Sequence, residues 1–454
     1  MTHCYRLGGH NIVLDVASGS VHSVDDAAFD AISMYGHESE RDIGTRLREK
    51  YPRLTEGDVA ELFDEIAQLK SRGKLFSPDA YGSAAGLARK TSLKALCLNV
   101  SHACNMTCAY CFAGRGGYGG GEGLMPLETG KRAIDFLVES SAGRKTLDVD
   151  FFGGEPLLNW GVVKGVVGYA REAEQGSGKR FRFTLTTNGL LIDDDVIDFT
   201  NREMHNIVLS LDGRPETNDA MRKLPGGGGS YREVLPKLKR IVEARRGKGY
   251  YIRGTFTRHN LGFVGDVLHL ADLGFEELSM EPVVAGPGSP HGLSMDDLPA
   301  IEEQYEILAL EMLKRQREGR AFRFYHFTID LAGGPCIHKR IAGCGVGSEY
   351  MAVTPAGELY PCHQFVGDRR FLLGDVWRGA ADGSLRDKFR ACNIYTRAEC
   401  RECWARMYCS GGCAANAFHA TGSVGGVYGL GCEMFKKRAE CAIMMKIDEK
   451  CQLK

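Results

Sequence analysis

Strand-like apolar runs alternate with helical patterns through the middle of the chain, roughly residues 91–290. In the helical stretches, apolar positions recur every three or four residues. The strand-like runs are 93–100, 147–152, 181–187, 207–211, 250–257 and 278–281. The helical stretches are 129–139, 160–174, 193–203, 231–244 and 263–273. This alternation predicts an α/β fold, a partial (β/α)6 barrel of parallel strands that is open on one side.

A different pattern precedes the barrel, in residues 1–85. The elements it predicts are a hairpin formed by 10–16 and 20–24, helices at 27–34 and from Thr55 onward, and a returning strand at 74–76. Together they predict a small winged-helix-like module. The stretch 77–90 is rich in glycine, alanine and serine and predicts a linker to the barrel.

The last segment, residues 291–454, begins with a predicted helix at 296–317 and is then dominated by cysteines. The whole chain contains 16 cysteines in 454 residues. In a chain of this size without a signal peptide, that number indicates metal binding more than disulfides. The segment is therefore expected to be a third domain that carries metal sites.

Bulk composition narrows the function classes. With 57 basic and 58 acidic residues the net charge is −1, which provides no excess charge for binding a nucleic-acid backbone. The sequence contains no apolar stretch of membrane-spanning length and no signal peptide, so a cytoplasmic location without membrane association is expected.

Three cysteines lie within eight residues, directly after the first strand-like run of the barrel. They are Cys104, Cys108 and Cys111, spaced as Cys-x3-Cys-x2-Cys. Three thiolates can hold three irons of a [4Fe-4S] cluster and leave the fourth iron open for another ligand. A structural zinc knuckle is the alternative, but zinc sites more often use two Cys-x2-Cys pairs.

This spacing, with Tyr110 before the last cysteine, resembles the signature of the radical S-adenosylmethionine (SAM) superfamily. The resemblance implies that the amino and carboxylate groups of SAM bind the open iron. Gly153-Gly-Glu-Pro156 ends the next strand-like run and matches the superfamily's motif for the SAM amino group. Its two glycines allow close backbone approach, and Glu155 can accept hydrogen bonds from an ammonium group.

Polar residues end the following runs as well. The resemblance implies that Ser210 and Arg253 contact the SAM carboxylate. Thr186, Asn188 and Asp212 are candidates for the ribose or carboxylate and equally for turns. Arg222 is a further anion-binding candidate, and its alternative is a solvated helix end.

The cysteine-rich segment resembles the SPASM extension of radical SAM enzymes, which binds two auxiliary [4Fe-4S] clusters; two zinc sites are the alternative. The resemblance implies an outer cluster held by Cys400, Cys403, Cys409 and Cys432. It implies an inner cluster held by Cys344, Cys362 and Cys413. Whether Cys336 supplies a fourth ligand to the inner cluster, or that site stays open, is undecided.

The module, the barrel and the SPASM segment together resemble the maturases of six-cysteine (SCIFF) peptides. The stretches that carry this likeness most specifically are 11–26, 349–355 and 361–366. It implies a radical SAM enzyme that forms thioether bonds from a cysteine sulfur to a carbon of a residue such as threonine, in a ribosomally synthesised peptide. The implied partners are a cysteine-rich precursor peptide, held by its leader as an added strand, and an electron donor such as flavodoxin or ferredoxin.

Other functions remain open at this stage. Anaerobic sulfatase-maturing enzymes form formylglycine and place an aspartate base after the cysteine that corresponds to Cys362, whereas this chain has His363 there. His363 is therefore a candidate for proton transfer or for a hydrogen bond to a cluster, and a packed histidine is its ordinary alternative. A non-catalytic electron-transfer or zinc protein would need neither the Gly-Gly-Glu-Pro motif nor a leader module. The module itself has two alternatives, an inert extension and a DNA-binding winged helix.

Overall fold

The computed structural model describes residues 1–82, 92–286, 288–331, 333 and 336–452. The strands form two sheets, one of three strands and one of eleven. No helix among the described residues is long and apolar enough to cross a membrane. The part of the predicted linker at 83–90 lies outside the described residues.

The N-terminal sheet has three antiparallel strands in the order β1-β2-β3, followed by three helices. Their bounds are β1 Thr2–Leu7, β2 His10–Asp15, β3 Val21–Val24, α1 Asp26–Met34, α2 Glu40–Lys50 and α3 Glu56–Ser71. The predicted hairpin corresponds to β2 and β3, while β1 and α2 were not predicted. A capping box formed by Thr55 and Asp58 begins α3, because each satisfies a backbone amide of the other.

The strand predicted at 74–76 is wrong. Phe76 has a left-handed backbone with φ of 52°, which strand geometry excludes. The carbonyl of Lys74 accepts a hydrogen bond from the His22 ring at 2.8 Å instead of from a neighbouring strand. After this turn, Ser77 donates its backbone N–H to the buried carboxylate of Asp15 at 2.9 Å, which ties the end of the module to β2.

Six parallel strands form the centre of the large sheet, as the alternating pattern predicts. They are β4 Ala95–Ser101, β5 Thr146–Gly153, β6 Arg180–Thr187, β7 Met204–Ser210, β8 Gly249–Phe256 and β9 Glu277–Pro282. The helices between them are α4 Leu127–Ser140, α5 Trp160–Ser177, α6 Asp194–Glu203, α7 Pro215–Met221, α8 Tyr231–Arg245 and α9 Phe263–Asp272. Every residue of β4 is buried, whereas β5, β6 and β8 alternate between buried and more exposed positions. The predicted α/β class with a mostly parallel sheet is confirmed.

The cysteine-rich segment extends this sheet at both ends. The full strand order is β10-β9-β8-β7-β6-β5-β4-β11-β12-β13-β14. The added strands are β10 Arg323–Phe324, β11 Tyr350–Val353, β12 Glu358–Tyr360, β13 Gly374–Asp375 and β14 Gly379–Ala380. β11 pairs in parallel with β4, so the segment that carries most of the cysteines is joined directly to the strand before the first cysteine motif.

The same segment contributes a set of helices. They are α10 Leu298–Arg317, α11 Ile337–Ala342, α12 Gly383–Ala391, α13 Ala398–Arg401, α14 Arg406–Cys409, α15 Ala414–Thr421 and α16 Gly429–Gln452. The long helix α16 packs along α10 and also reaches the N-terminal module, where Tyr5 donates its hydroxyl to the carbonyl of Glu440 at 3.0 Å. His3 contacts the Glu440 carboxylate at 2.9 Å and stacks on Trp404 with ring centroids 3.9 Å apart.

Candidate functional site

A pocket opens at the carboxyl ends of the central strands, where parallel α/β folds place their ligands. It contains the three cysteines of the first motif, the Gly-Gly-Glu turn after β5, and polar residues at the ends of β6, β7 and β8. His363 and Gln364 of the C-terminal segment also line it. The structure therefore brings the sequence-predicted SAM-site residues into a single pocket.

The loop after β4 holds the three thiols together. Cys104, Cys108 and Cys111 are half-buried. Burial and, secondarily, the neighbouring charges of Glu155 and the other two thiols raise the pKa of Cys104 to about 12. The backbone N–H of Ala109 donates to the Met221 carbonyl at 2.9 Å, which anchors the middle of this loop to the end of α7.

The two glycines after β5 lie in close contact with the backbone of the loop after β4. A β-carbon on Gly153 would lie 2.2 Å from the Ser101 carbonyl oxygen, and one on Gly154 would lie 2.2 Å from the Ala103 oxygen. These gaps are far shorter than van der Waals contact, and the atoms on the other side belong to the backbone. Any residue except glycine would therefore push the turn away from the cysteine loop.

Glu155 is fully buried and its carboxylate already has protein donors. Oε1 accepts from the Leu157 N–H at 3.0 Å and from the Thr187 hydroxyl at 2.8 Å, and Oε2 accepts from the Asn188 N–H at 2.8 Å. Burial raises the pKa of this carboxyl to about 7, against the effect of these bonds. Glu155 thus joins the turn after β5 to the end of β6.

Asn188 connects that strand end to the cysteine loop. Its amide nitrogen donates to Asn105 Oδ1 at 2.8 Å and lies 3.8 Å from the sulfur of Cys104. Its carbonyl oxygen accepts from the Leu190 N–H at 3.0 Å, which is the turn role considered from the sequence. Thr186, two residues earlier, lines the pocket.

Arg222 is not a solvated helix end. It is 9% exposed, its Nε lies 3.0 Å from Oδ1 of the fully buried Asp212, and its guanidinium covers the Tyr110 ring at 5.6 Å. The Tyr110 hydroxyl donates to the other oxygen of Asp212 at 2.6 Å. Oδ1 also accepts from the Thr255 N–H at 2.9 Å, so Asp212 fastens the cysteine loop to β8. The sequence predicted neither of these pairings.

Ser210 and Arg253 sit side by side at the ends of β7 and β8, where the register pairs them directly. Both line the pocket. The Arg253 side chain is 46% exposed, and its Nε lies 3.9 Å from Oε1 of Glu281 at the end of β9. Glu281 was predicted only as the last residue of a strand, although its position at a carboxyl strand end was a usable signal for a site residue.

His363 reaches the pocket from the C-terminal segment. Its ring lies 4.9 Å from that of Phe152 and 5.8 Å from that of Phe112, centroid to centroid. Its Nδ1 is 3.3 Å from the hydroxyl of Tyr350. Burial, and secondarily the charge of Arg253, lowers the pKa of His363 to about 4, so the ring is neutral at pH 7.

Seven of the other cysteines lie near one another in two groups. Cys362 is near Cys413 and Cys344, and burial followed by these thiols raises its pKa to about 12. The second group comprises Cys409 with Cys400, Cys403 and Cys432. In that group burial is again the first cause of the raised pKa of Cys409, to about 12, and the neighbouring thiols add to it. Cys336 is exposed at the start of α11.

The donors fit iron-sulfur clusters better than single ions. Within the described ranges, no three His, Cys, Asp or Glu side chains converge closely enough to hold one metal ion. The thiols instead line cavities. Cys104, Cys108 and Cys111 line the pocket described above, and a second cavity lies between the two C-terminal groups, lined by Cys413 of one and by Cys409 and Cys432 of the other. Thiols spread around a cavity suit a cube of irons, which cysteines hold from several sides.

Comparisons with known proteins agree with this geometry. The radical SAM superfamily model matches residues 98–259. Mycofactocin maturase MftC of Mycobacterium ulcerans is 26% identical over 341 residues, which cover 71% of this chain and 84% of that protein.

Two solved structures show the same fold. The structure of anSMEcpe with bound AdoMet is 21% identical with a TM-score of 0.65, and the match covers 78% of this chain and 98% of that one. SuiB of Streptococcus suis bound to the precursor peptide SuiA is 16% identical with a TM-score of 0.53, over 92% of this chain and 97% of that one. The chain is therefore similar to the radical SAM superfamily over residues 98–259 and to mycofactocin maturase MftC over most of its length.

Proposed function

We propose that this protein is a radical SAM peptide maturase that joins a cysteine sulfur to a carbon of an acceptor residue, such as threonine, through a thioether bond. One observation carries the proposal. His363 lines the SAM pocket and directly follows Cys362, which belongs to the inner group of thiols. The pocket for hydrogen abstraction and a candidate auxiliary cluster thus share a wall.

The pocket residues divide the work of binding SAM. Cys104, Cys108 and Cys111 would hold the cluster, and the backbone at Gly153 and Gly154 would face the SAM amino group. Ser210 and Arg253 would bind its carboxylate, because a guanidinium offers several N–H donors to such a group. Three protein donors fix the Glu155 carboxylate, and its Oε2, which has one of them, would accept a further hydrogen bond from the SAM amino group.

Bound SAM and the reduced cluster would supply methionine and a 5′-deoxyadenosyl radical that takes a hydrogen atom from a substrate carbon. The peptide would lose two hydrogens in all. One leaves as that atom, and the other leaves the thiol as a proton. The electron left over needs an acceptor, and in this proposal an auxiliary cluster held by Cys344, Cys362 and Cys413 would accept it. Phe112 and Phe152 border the pocket beside His363 and limit the access of water to the carbon radical.

The N-terminal module supplies an edge for the leader. β2 is the central strand, so β1 and β3 are the two edges of this sheet. Side chains of β1 contact α16 through Glu440. β3 is therefore the edge we assign to the leader as an added antiparallel strand, since backbone N–H and C=O groups of an outer strand can pair with another chain.

The test uses anoxically reconstituted protein, SAM, a reductant such as reduced flavodoxin, and a cysteine-rich peptide that carries its leader. We expect 5′-deoxyadenosine release together with a peptide that is lighter by two hydrogens and has lost one alkylatable thiol per bond formed. Amide hydrogen exchange in residues 20–25 should slow when the leader is added. Release of 5′-deoxyadenosine while every peptide thiol stays alkylatable would contradict thioether formation.

Formylglycine formation is the second candidate, because the serine-type anaerobic sulfatase-maturating enzyme of Klebsiella aerogenes is 25% identical over 346 residues, which cover 70% of this chain and 78% of that protein. The longer match of SuiB, over 92% of this chain against 78% for the anSMEcpe structure, favours the peptide-maturase proposal. The same assay separates the two functions if a sulfatase peptide is offered alongside the cysteine-rich peptide.

A further inference from the structure

A row of charged and polar side chains runs from the SAM pocket into the C-terminal helix. It begins with Arg253 on β8 and Glu281 on β9, which both line the pocket. It continues through His326, in the turn after β10, to Arg438 on α16. His326 and Arg438 are not among the residues that line the SAM pocket, and Glu281 is the pocket residue that His326 contacts.

The chemistry of each group shows which atom is the donor in each contact. Arg438 Nη1 lies 2.9 Å from His326 Nδ1, and an arginine can only donate, so Nδ1 is the acceptor. The proton of the neutral ring is then on Nε2, which lies 3.3 Å from Glu281 Oε1, at ion-pair distance but outside hydrogen-bond geometry. The hydroxyl of Ser279 donates to the same oxygen at 3.0 Å. Oε1 of Glu281 is therefore contacted by both Ser279 and His326.

The contact with Arg253 differs from these. Its Nε is 3.9 Å from Glu281 Oε1, which is attractive but too long for a hydrogen bond. The guanidinium therefore spends none of its five N–H donors on this contact, and the side chain is 46% exposed on the pocket side. Although burial opposes ionisation of Glu281, His326, Arg253 and Arg438 together lower its pKa well below the usual range.

We propose that Glu281, His326 and Arg438 are positioning residues that aim the Arg253 guanidinium at the carboxylate of SAM. The inference rests on the proposed role of Arg253 in binding SAM. Without Arg438, the His326 ring loses the donor that fixes its tautomer and orientation, and Nε2–H no longer faces Glu281. The carboxylate then attracts Arg253 more strongly and competes with SAM for its donors.

The network also links two sites. Arg438 lies six positions after Cys432 on α16, and both line the cavity that contains Cys409 and Cys413. A change at Arg438 can therefore disturb that cavity directly, whereas His326 is not among the residues that line it. His326 variants separate an effect on SAM binding from an effect on the cysteine cavity.

The experiment measures the dissociation constant of SAM by equilibrium dialysis on anoxically reconstituted full-length protein, with iron content determined for each sample. Arg438→Gln and His326→Leu should raise the constant roughly 10-fold or more, the size typical of lost outer-shell partners. His326→Gln should stay within about threefold of wild type, because its amide can accept from Arg438 and donate to Glu281. Arg317→Gln is the control, since Arg317 also bonds α16, at Asp448 2.7 Å away, but on the surface.

A second measurement is the electron paramagnetic resonance signal of the reduced SAM-site cluster. In Arg438→Gln and His326→Leu this signal should change only at a higher SAM concentration than in the wild-type protein. Wild-type affinity in both Arg438→Gln and His326→Leu at full iron content would overturn the inference. Equal losses in His326→Leu and His326→Gln would also overturn it, because the contacts of the ring nitrogens would then not matter. If wild-type protein fails to bind SAM at all, the proposed function is what fails.

Discussion

Replacing Gly154 with alanine tests how the turn after β5 positions the cysteine loop. The added methyl group would lie 2.2 Å from the Ala103 oxygen, 2.7 Å from the Ala103 carbonyl carbon and 3.0 Å from the Gly116 α-carbon. Ordinary contact needs roughly 3.5 Å, so the two backbones must separate by about 1 Å. The backbone of Gly154 is not in the left-handed region, and the effect is therefore steric rather than conformational.

Ala103 precedes Cys104, so the shift passes directly to the first cluster ligand. Overpacking of this kind costs about 1–3 kcal/mol, and a misplacement of about 1 Å in an active site can cost on the order of 100-fold in rate. We expect Gly154→Ala to lose iron from the SAM-site cluster or to release 5′-deoxyadenosine about 100-fold more slowly. The assays are iron and sulfide content after anoxic reconstitution, followed by single-turnover SAM cleavage.

Gly161→Ala is the matched control. Gly161 lies near the start of α5, and a β-carbon there meets nothing within 4 Å. Alanine also favours helix more than glycine does, so this variant should keep full iron content and rate. If Gly154→Ala behaves like Gly161→Ala, the close approach of the two loops does not position the cluster and the steric argument is wrong.

Three further sets of substitutions test other contacts of the structure. Arg222→Gln should lower the free energy of unfolding by about 3–5 kcal/mol in urea titrations, because it leaves the Asp212 carboxylate buried without its cation; an unchanged midpoint would contradict that reading. Asp15→Asn should cost about 1.5–3 kcal/mol at pH 7. Burial opposes ionisation of Asp15, but hydrogen-bond donors lower its pKa. Its contribution to the free energy of unfolding is therefore present above the unfolded-state pKa and is lost as the pH falls through the folded-state pKa. The difference from wild type should therefore shrink near pH 3, and a constant difference would exclude the charge as its source. Cys344→Ala and Cys432→Ala should each lower the iron content by the equivalent of one cluster, and the double variant should lower it by two. If Mössbauer spectra of the two single variants lose the same component, the two sites are not separate.

The sequence predicted the central parallel sheet well because its strands are short, apolar and separated by regular helical patterns. All six central strands lie within a few residues of their predicted positions. The family resemblance assigned Cys400, Cys403 and Cys409 to one group, and these thiols lie near one another in the structure. Local pattern and spacing were sufficient for the strands.

Hydrogen bonds and ion pairs between residues far apart in the chain could not be predicted from the sequence. Glu155 has the expected location, but its donors come from the end of another strand, and no local signal shows that they occupy its carboxylate. Arg222 was open to an anion-binding reading because its partner Asp212 is reached only through the fold. The helix α16 was not predicted, and it contacts α10 and β1 at once, so it lacks the single apolar face that marks a surface helix.

The central claim is that one pocket cleaves SAM and directs the resulting radical to a peptide whose cysteine becomes a thioether. The test is mass spectrometry of a leader-bearing, cysteine-rich peptide that is deuterated at the acceptor carbon. The peptide is incubated with the reconstituted protein and unlabelled SAM. The account predicts deuterium in 5′-deoxyadenosine and a peptide that has lost that deuterium and one thiol hydrogen. Cleavage of SAM without deuterium transfer, and with the peptide unchanged, would contradict it.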